Sequence, residues 1–301
     1  MVEIPYVRDI QFEYGVTQQV APGIRRVIAA NKGPFTYTGS GTYIIGDGEV
    51  AVIDPGPNLP EHVDAILAGL KPGERITHIL ITHTHMDHSP AAAPLKALTG
   101  AKTYAYGPHG GARGRGESEE GGDWDFMPDV RVAHGDVVEG NGWSAEAVFT
   151  PGHTSNHMSW QYREHKALFT GDHVMGWSTS VIAPPDGDMK SYMDSLRLLL
   201  DRDDEIYWPT HGPAITDPKP FVQAFITHRE EREAQIMACL RSDARYIPAM
   251  VKIMYANVPE NLHPAASRSV LAHLEHMIDT GRVVSSTETA TMKSLYTAVD
   301  N

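Results

Sequence analysis

The sequence predicts an α/β layered core followed by a small helical domain that closes in a hairpin. Three observations carry this expectation. Short apolar strands alternate with helical segments over the first two thirds of the chain. From about residue 220 the pattern changes to long amphipathic helices and then a short β pattern. At 301 residues, the chain is also long enough for one large domain plus a smaller one. The expected division is 1–222 and 223–301.

The elements follow in order. "TYIIGDGEVAVIDPGP" reads as two strands around a Gly46-Asp47-Gly48 turn, the second ending at Asp54. "EHVDAILAGL" has helical periodicity, and "ITHILIT" is a mostly apolar strand. "SPAAAPLKAL" is expected to start a helix with Ser89 as its cap and Pro90 in its first turn. Residues 107–122, "GPHGGARGRGESEEGG", are too rich in glycine and charge for a core element; they suit a mobile surface insert, or alternatively a lid. In the tail, "FVQAFITHREEREAQIMACL", "IPAMVKIMYANV" and "AASRSVLAHLEHMIDTG" predict three helices. The last carries an apolar stripe of Val270, Leu271, Leu274, Met277 and Ile278, with Gly281 as its C-terminal cap. "RVVSSTETATMKSLYTAV" then reads as a hairpin, giving a winged-helix-like tail.

Charge and composition narrow the function. The net charge of -13 disfavours a chain built chiefly to grip a polyanion. Beyond residue 222 there are eight Lys/Arg against nine Asp/Glu, so the tail is nearly neutral and the first 222 residues carry about -12. A winged helix built for duplex DNA should be basic, so this one is expected to pack on its own chain or a partner. The one cysteine, Cys239, excludes an internal disulfide. With no signal-peptide pattern at the N-terminus and no run of 18 apolar residues, the expectation is a soluble cytoplasmic protein with no membrane partner.

The chemistry is concentrated at strand ends. "ITHILITHTHMDHSP" places His83, His85, Asp87 and His88 directly after a buried strand. In an extended segment His83 and His85 point the same way and can share one metal ion, while Asp87 and His88 fall where the chain turns and can face a second position. Three further strands end at candidate ligands: "VFTPGHTSNH" at His153, "ALFTGDHV" at Asp172 and "IYWPTHGP" at His211. Each residue alone is commonly a satisfied loop residue, but four such stations in one chain point to a metal site at the carboxyl ends of the strands.

The series Asp54, "HTHMDH", His153, Asp172, His211 resembles the metallo-beta-lactamase superfamily, over residues 31–212. "NKGPFTYTGSGTY", "PPDGDMKSYMDSL" and the tail further resemble its beta-lactamase-like protein 2 branch, so the similarity covers nearly the whole chain. Gly41 stands where that branch usually has Asn, and Thr210 where it often has Gly. The resemblance implies a four-layered αββα sandwich with two metals at one edge. It implies one metal on His83, His85 and His153, and a second on Asp87, His88 and His211, with Asp172 bridging. Neutral imidazoles suit Zn²⁺, and the added carboxylates would let Mn²⁺ or Fe compete at the second position. A hydroxide shared by the two ions is the expected nucleophile, with Asp87 orienting it or accepting its proton. Asp54 is expected to organise the loop rather than bind metal. His157 and His173 flank the site, as leaving-group donors or as structural residues, and Trp177, Thr179 and Ser180 are expected to line the pocket.

The favoured activity is hydrolysis of a small acyl substrate, such as a thioester or lactone. A single-strand-specific endoribonuclease is the alternative, because the branch includes a relative that cuts RNA. A true beta-lactamase is disfavoured by the carboxylate at Asp172. A binding-only module is disfavoured because structural zinc sites are closed, whereas this set leaves room for water.

Overall fold

The computed structural model describes residues 2–110 and 121–299. The first sheet has seven strands in sequence order: β1 (Gln18–Ala21), β2 (Ile24–Ile28), β3 (Gly41–Asp47), β4 (Glu49–Ile53), β5 (Arg75–Leu80), β6 (Lys102–Ala105) and β7 (Val130–Arg131). Pairing is antiparallel up to β4 and parallel from β4 to β7. The β4–β5 and β5–β6 connections carry α1 (Pro60–Ala68) and α2 (Ala92–Thr99), the usual form of a parallel crossover. The second sheet contains β8 (Val137–Gly140), β9 (Trp143–Phe149), β10 (Met158–Tyr162), β11 (Ala167–Gly171) and β12 (Ile206–Pro209), in the order β12-β11-β10-β9-β8.

Side-chain alternation makes the layers. Along β3 and β4, Tyr43, Ile45, Ala51 and Ile53 face the second sheet, where they meet Trp143, Trp160, Phe169 and Trp208. The intervening Ile44, Val50 and Val52 face outward and are covered by Val63 and Ile66 of α1 and Leu95 of α2. The outer face of the second sheet, including Val148, Leu168 and Tyr207, is covered by α3 (Met189–Leu200) and by Phe221, Val222 and Phe225 of α4 (Pro218–Arg241). Each sheet thus has the other sheet on one face and helices on the opposite face, and the result is an αββα sandwich.

The tail consists of α5 (Ile247–Met254), α6 (His263–Asp279) and the antiparallel pair β13 (Val283–Ser285) and β14 (Tyr296–Ala298) around its own core. Val270, Leu271, Leu274 and Met277 are buried in that core and Ile278 packs against it. Gly281, with φ at 70°, ends α6 in the left-handed conformation. The boundary expected at residue 222 falls inside α4, whose first turns pack on the sandwich while Ile236, Cys239 and Leu240 pack in the tail. Among the described residues no helix is long and apolar enough to cross a membrane.

One expectation is corrected. The helix following the histidine cluster starts at Ala92 and not at Ser89, and the Ser89 hydroxyl caps nothing: it donates to the Asp123 carboxylate at 2.7 Å. Residues 85–91 instead form a tight turn, held by Gly56 N–H donating to the His88 carbonyl and Ala91 N–H donating to the Gly56 carbonyl. That turn presents Asp87 and His88 to the strand ends. Most of the Gly-rich segment expected to form an insert or lid, residues 111–120 with Arg113 and Arg115, lies outside the described residues.

Candidate metal centre

Topology assembles the site. β9, β11 and β12 run in the same direction, because β9 and β11 are each antiparallel to β10 and β11 is parallel to β12. Their carboxyl ends therefore meet at one edge and deliver His153, Asp172 and His211. The carboxyl ends of β4 and β5, parallel neighbours in the other sheet, deliver Asp54 and the His83–His88 turn. The sheets are clamped there by Trp160 Nε1 donating to the Ile81 carbonyl at 3.1 Å, Tyr43 Oη donating to the Pro209 carbonyl at 2.7 Å and Met158 N–H donating to the Thr82 carbonyl at 2.7 Å.

The seven candidate ligands converge in three overlapping groups: His83, His85, His153; His83, His88, Asp172; and Asp87, His88, His211. Within each, the ligand atoms lie within 4.8 Å of one another. Asp172 Oδ2 stands between them, 3.9 Å from His153 Nε2, 3.5 Å from His88 Nε2 and 3.4 Å from His211 Nε2. Asp87 Oδ2 is 3.0 Å from His211 Nε2 and 3.6 Å from His88 Nε2. Ligand bonds of about 2.0–2.1 Å in a tetrahedral shell put neighbouring donor atoms roughly 3.3 Å apart, so these separations fit shared ions.

The outward hydrogen bonds decide which ring nitrogen faces in. His153 Nδ1 donates to the Val181 carbonyl at 2.6 Å, and His211 Nδ1 donates to the Gly39 carbonyl at 3.3 Å. His88 Nδ1 donates to Asp54 Oδ2 at 2.9 Å. The Thr82 hydroxyl gives its proton to Asp54 Oδ2, so His83 Nδ1–H donates to the Thr82 oxygen at 3.1 Å. Four imidazoles thus spend one N–H outward and aim Nε2 inward, the arrangement by which metal-ligating histidines are oriented. His88 Nε2 and Asp172 Oδ1 are buried without a hydrogen-bond partner, and the donor set is imidazole plus carboxylate, so the residues present fit metal ions.

Electrostatics divide the cluster. Burial, followed by the neighbouring imidazoles of His88, His85, His153 and His157, drives the His83 pKa well below its usual value and keeps that ring neutral. Burial also acts against charge on His88 and His211, yet it is overcome. The carboxylates of Asp87, Asp172 and Asp54 raise His88 well above the usual value, and Asp172 and Asp87 raise His211 to about 10. Burial favours the neutral form of Asp172 too, but His211 and His88 hold its carboxyl well below the usual range.

Asp54 sits behind the ligands. Its backbone is left-handed, with φ at 47°. Oδ1 accepts Thr82 N–H at 2.8 Å, and Oδ2 accepts from Thr82, from His88 and, at 3.0 Å, from the Thr210 hydroxyl. His157 is fully buried; its Nδ1 donates to the Thr150 hydroxyl at 2.9 Å while Nε2 accepts Asp172 N–H at 3.3 Å, which sets the Asp172 backbone. His173 is buried with neither ring nitrogen hydrogen-bonded, and burial lowers its pKa to about 3. Trp177 stacks on Tyr37 with ring centroids 4.8 Å apart. Thr179 is half-buried, and Ser180 is buried, its hydroxyl donating to the His173 carbonyl and its carbonyl accepting from Arg229.

Sequence reasoning missed Ser40, which donates to Asp87 from the β2–β3 connection, and Asn31, which holds Ser40. It also gave no role to Thr82 and noted Thr210 only as a departure. These are polar residues in turn-rich stretches, and no spacing signal distinguishes them there.

An αββα sandwich with a His/Asp cluster at one edge defines a class of metal-dependent hydrolases. Residues 37–211 match the metallo-beta-lactamase superfamily, and residues 247–291 match the beta-lactamase associated winged helix domain. The chain belongs to the metallo-beta-lactamase superfamily, with a C-terminal winged-helix domain, and is a hydrolase. The beta-lactamase-like protein 2 homolog of Drosophila melanogaster is 30% identical over 280 residues, covering 88% of this chain and 91% of that protein. An atrochrysone carboxyl ACP thioesterase of Aspergillus terreus is 30% identical over 243 residues, covering 79% and 70%. Among solved structures, a beta-lactamase domain protein from Burkholderia ambifaria shares the fold at a TM-score of 0.79 and 19% identity, covering 97% of this chain and 96% of that one.

Proposed function

We propose that this chain is a dinuclear zinc hydrolase of small acyl substrates, thioesters or lactones. The position of Asp172 Oδ2, within 3.9 Å of three inward-facing imidazole nitrogens, supports two ions sharing one carboxylate. His83, His85 and His153 would hold one ion; Asp87, His88 and His211 would hold the other, where Mn²⁺ or Fe could compete. Bound ions would supply Lewis acidity, polarising a carbonyl oxygen and bringing deprotonation of water to near neutral pH.

The protein's own residues set the rest. The Asp87 side chain is 16% exposed, against 3% or less for Asp172, His88 and His211, so it is the acidic group that a substrate and its attacking water meet. Although burial raises its pKa, His88 and His211 bring it below the usual carboxylate value, leaving an ionised acceptor for the water's proton at neutral pH. The Tyr37–Trp177 stack lies beside His211, against Gly212, and offers an apolar wall for an acyl group. The acyl reading is favoured by the acidic balance of the catalytic portion and by the thioesterase name carried by a relative. The lone, buried Cys239 accords with residence in the cytoplasm.

The test is a side-by-side assay of a thioester, a lactone, a cephalosporin and single-stranded RNA on zinc-loaded protein, with His83→Ala protein as the contaminant control. Turnover of a thioester or lactone by the parent alone is expected. Cleavage of RNA by the parent alone, with no acyl turnover, would replace this reading with the ribonuclease.

A further inference from the structure

The segment between β2 and β3 contains a device that the ligand set does not account for. Asn31 and Ser40 are joined reciprocally: Ser40 N–H donates to Asn31 Oδ1 at 2.9 Å, and Asn31 Nδ2 donates to Ser40 Oγ at 2.9 Å. A hydroxyl has one proton, and a carboxylate only accepts. With its oxygen occupied by the Asn31 amide, Ser40 Oγ therefore gives its proton to Asp87 Oδ2, 3.2 Å away. The preceding residue acts on the partner ligand, since the Gly39 carbonyl accepts from His211 Nδ1. Two consecutive residues thus address both Asp87 and His211, whose own contact is 3.0 Å.

The segment is fixed in place. Gly39 has φ at 124°, and a Cβ there would stand 2.1 Å from the Ala29 carbonyl, so the chain can pass only as glycine. Ser40 is fully buried. Its carbonyl accepts Ala29 N–H at 2.9 Å, and Gly41 N–H donates to the Thr210 carbonyl at 2.8 Å, tying the segment to the residue before His211. The Asn31 carbonyl accepts the Thr36 hydroxyl at 2.7 Å, which closes the loop on itself.

We infer that Ser40, aimed by Asn31, is a positioning residue for Asp87, and that this strap sets the affinity of the second metal position without affecting the first. A carboxylate free to rotate presents either oxygen; a fixed donor on Oδ2 selects one and holds it facing His211. Partners of this kind are typically worth about 10–100-fold in metal affinity. The inference rests on the dinuclear reading above.

The experiment is calorimetric titration of metal-stripped protein with zinc alone, alongside the melting temperature of the metal-free form. The parent is expected to show two binding events. Ser40→Ala should leave the stronger event and the metal-free melting temperature unchanged while weakening the second event about tenfold or more. Asn31→Asp should act likewise: its carboxylate still accepts Ser40 N–H, but it cannot donate to Ser40 Oγ and draws the hydroxyl proton to itself. An unchanged second event in both variants overturns the positioning role while leaving the dinuclear site standing. Equal weakening of both events together with a lower melting temperature overturns it as well, in favour of general support of the fold. A single event in the parent overturns the dinuclear reading and the strap's role with it, and the parent trace alone identifies that outcome.

Discussion

Asp54 and Asp87 are both carboxylates at the same strand-end edge, and their surroundings separate what they can do. Asp54 is 1% exposed and its Oδ2 accepts from Thr82, His88 and Thr210, so its capacity is filled by protein donors. Asp87 keeps part of its side chain in solvent and faces His211 and His88. Asp87→Ala should lower kcat by roughly 10²-fold or more in steady-state kinetics with the fold retained, the scale for losing a positioned acid or base. His78 provides the contrast. It hydrogen-bonds Thr77 and packs between Tyr104 and Trp143, away from the cluster, so His78→Ala should change kcat by less than about threefold. Equal losses at both positions would contradict the assignment. Asp54→Ala frees His88 to rotate, and a zinc titration should show affinity reduced about 10–100-fold.

At the scale of elements, the convergence of the candidate ligands was legible because each has a ligating chemistry and follows an apolar strand, and a layered sheet brings such ends to one edge. The strand–helix alternation of the layered core and the three tail helices were legible from local apolar patterns, whereas the division into two sheets came from the family resemblance. The helix start at Ser89 was misread because Ser followed by Pro is a cap signature; the turn that presents Asp87 and His88 takes precedence over local capping preference. The Asn31–Ser40 strap was not legible, since its meaning lies in a contact across 47 residues with Asp87. Gly152 is another such case. It lies one residue before His153 with φ at 138°, and a Cβ would stand 2.3 Å from the Tyr192 Cα of α3. Backbone cannot yield as a side-chain tip can. Gly152→Ala should therefore cost about 2 kcal/mol or more in denaturant unfolding and weaken metal binding through displacement of His153. A stability change below about 0.5 kcal/mol would show that α3 accommodates the methyl group.

For the whole molecule, the distribution of histidines predicts an unusual stability profile when metal is absent. His62, His173 and His273 are buried, and burial lowers their pKa values to about 4, 3 and 4. His62 shows the cause: the Thr42 hydroxyl donates to the Asp54 carbonyl, so His62 Nε2–H must donate to Thr42, and the buried Nδ1 has no partner to stabilise a second proton. An unfolded histidine titrates near 6.5, so below that pH the unfolded chain binds protons that the folded chain refuses. Stability should fall as pH drops from about 6.5 towards 4, by up to roughly 3 kcal/mol for His62 alone. His88 and His211 act in the opposite direction. Their folded pKa values are raised, His211 to about 10, so their contribution is complete below about 6.5 and is lost as pH rises through the folded value. Metal-free protein should accordingly be most stable near pH 6–7 and decline on both sides in urea melts across pH. On the proposed ligand assignment, metal ions compete with protons for Nε2 of His88 and His211, so zinc should abolish the alkaline decline while leaving the acid limb from His62 and His273, with proton release on binding above pH 6.5. An alkaline limb that persists in zinc-saturated protein would mean that His88 and His211 are not where the metal binds.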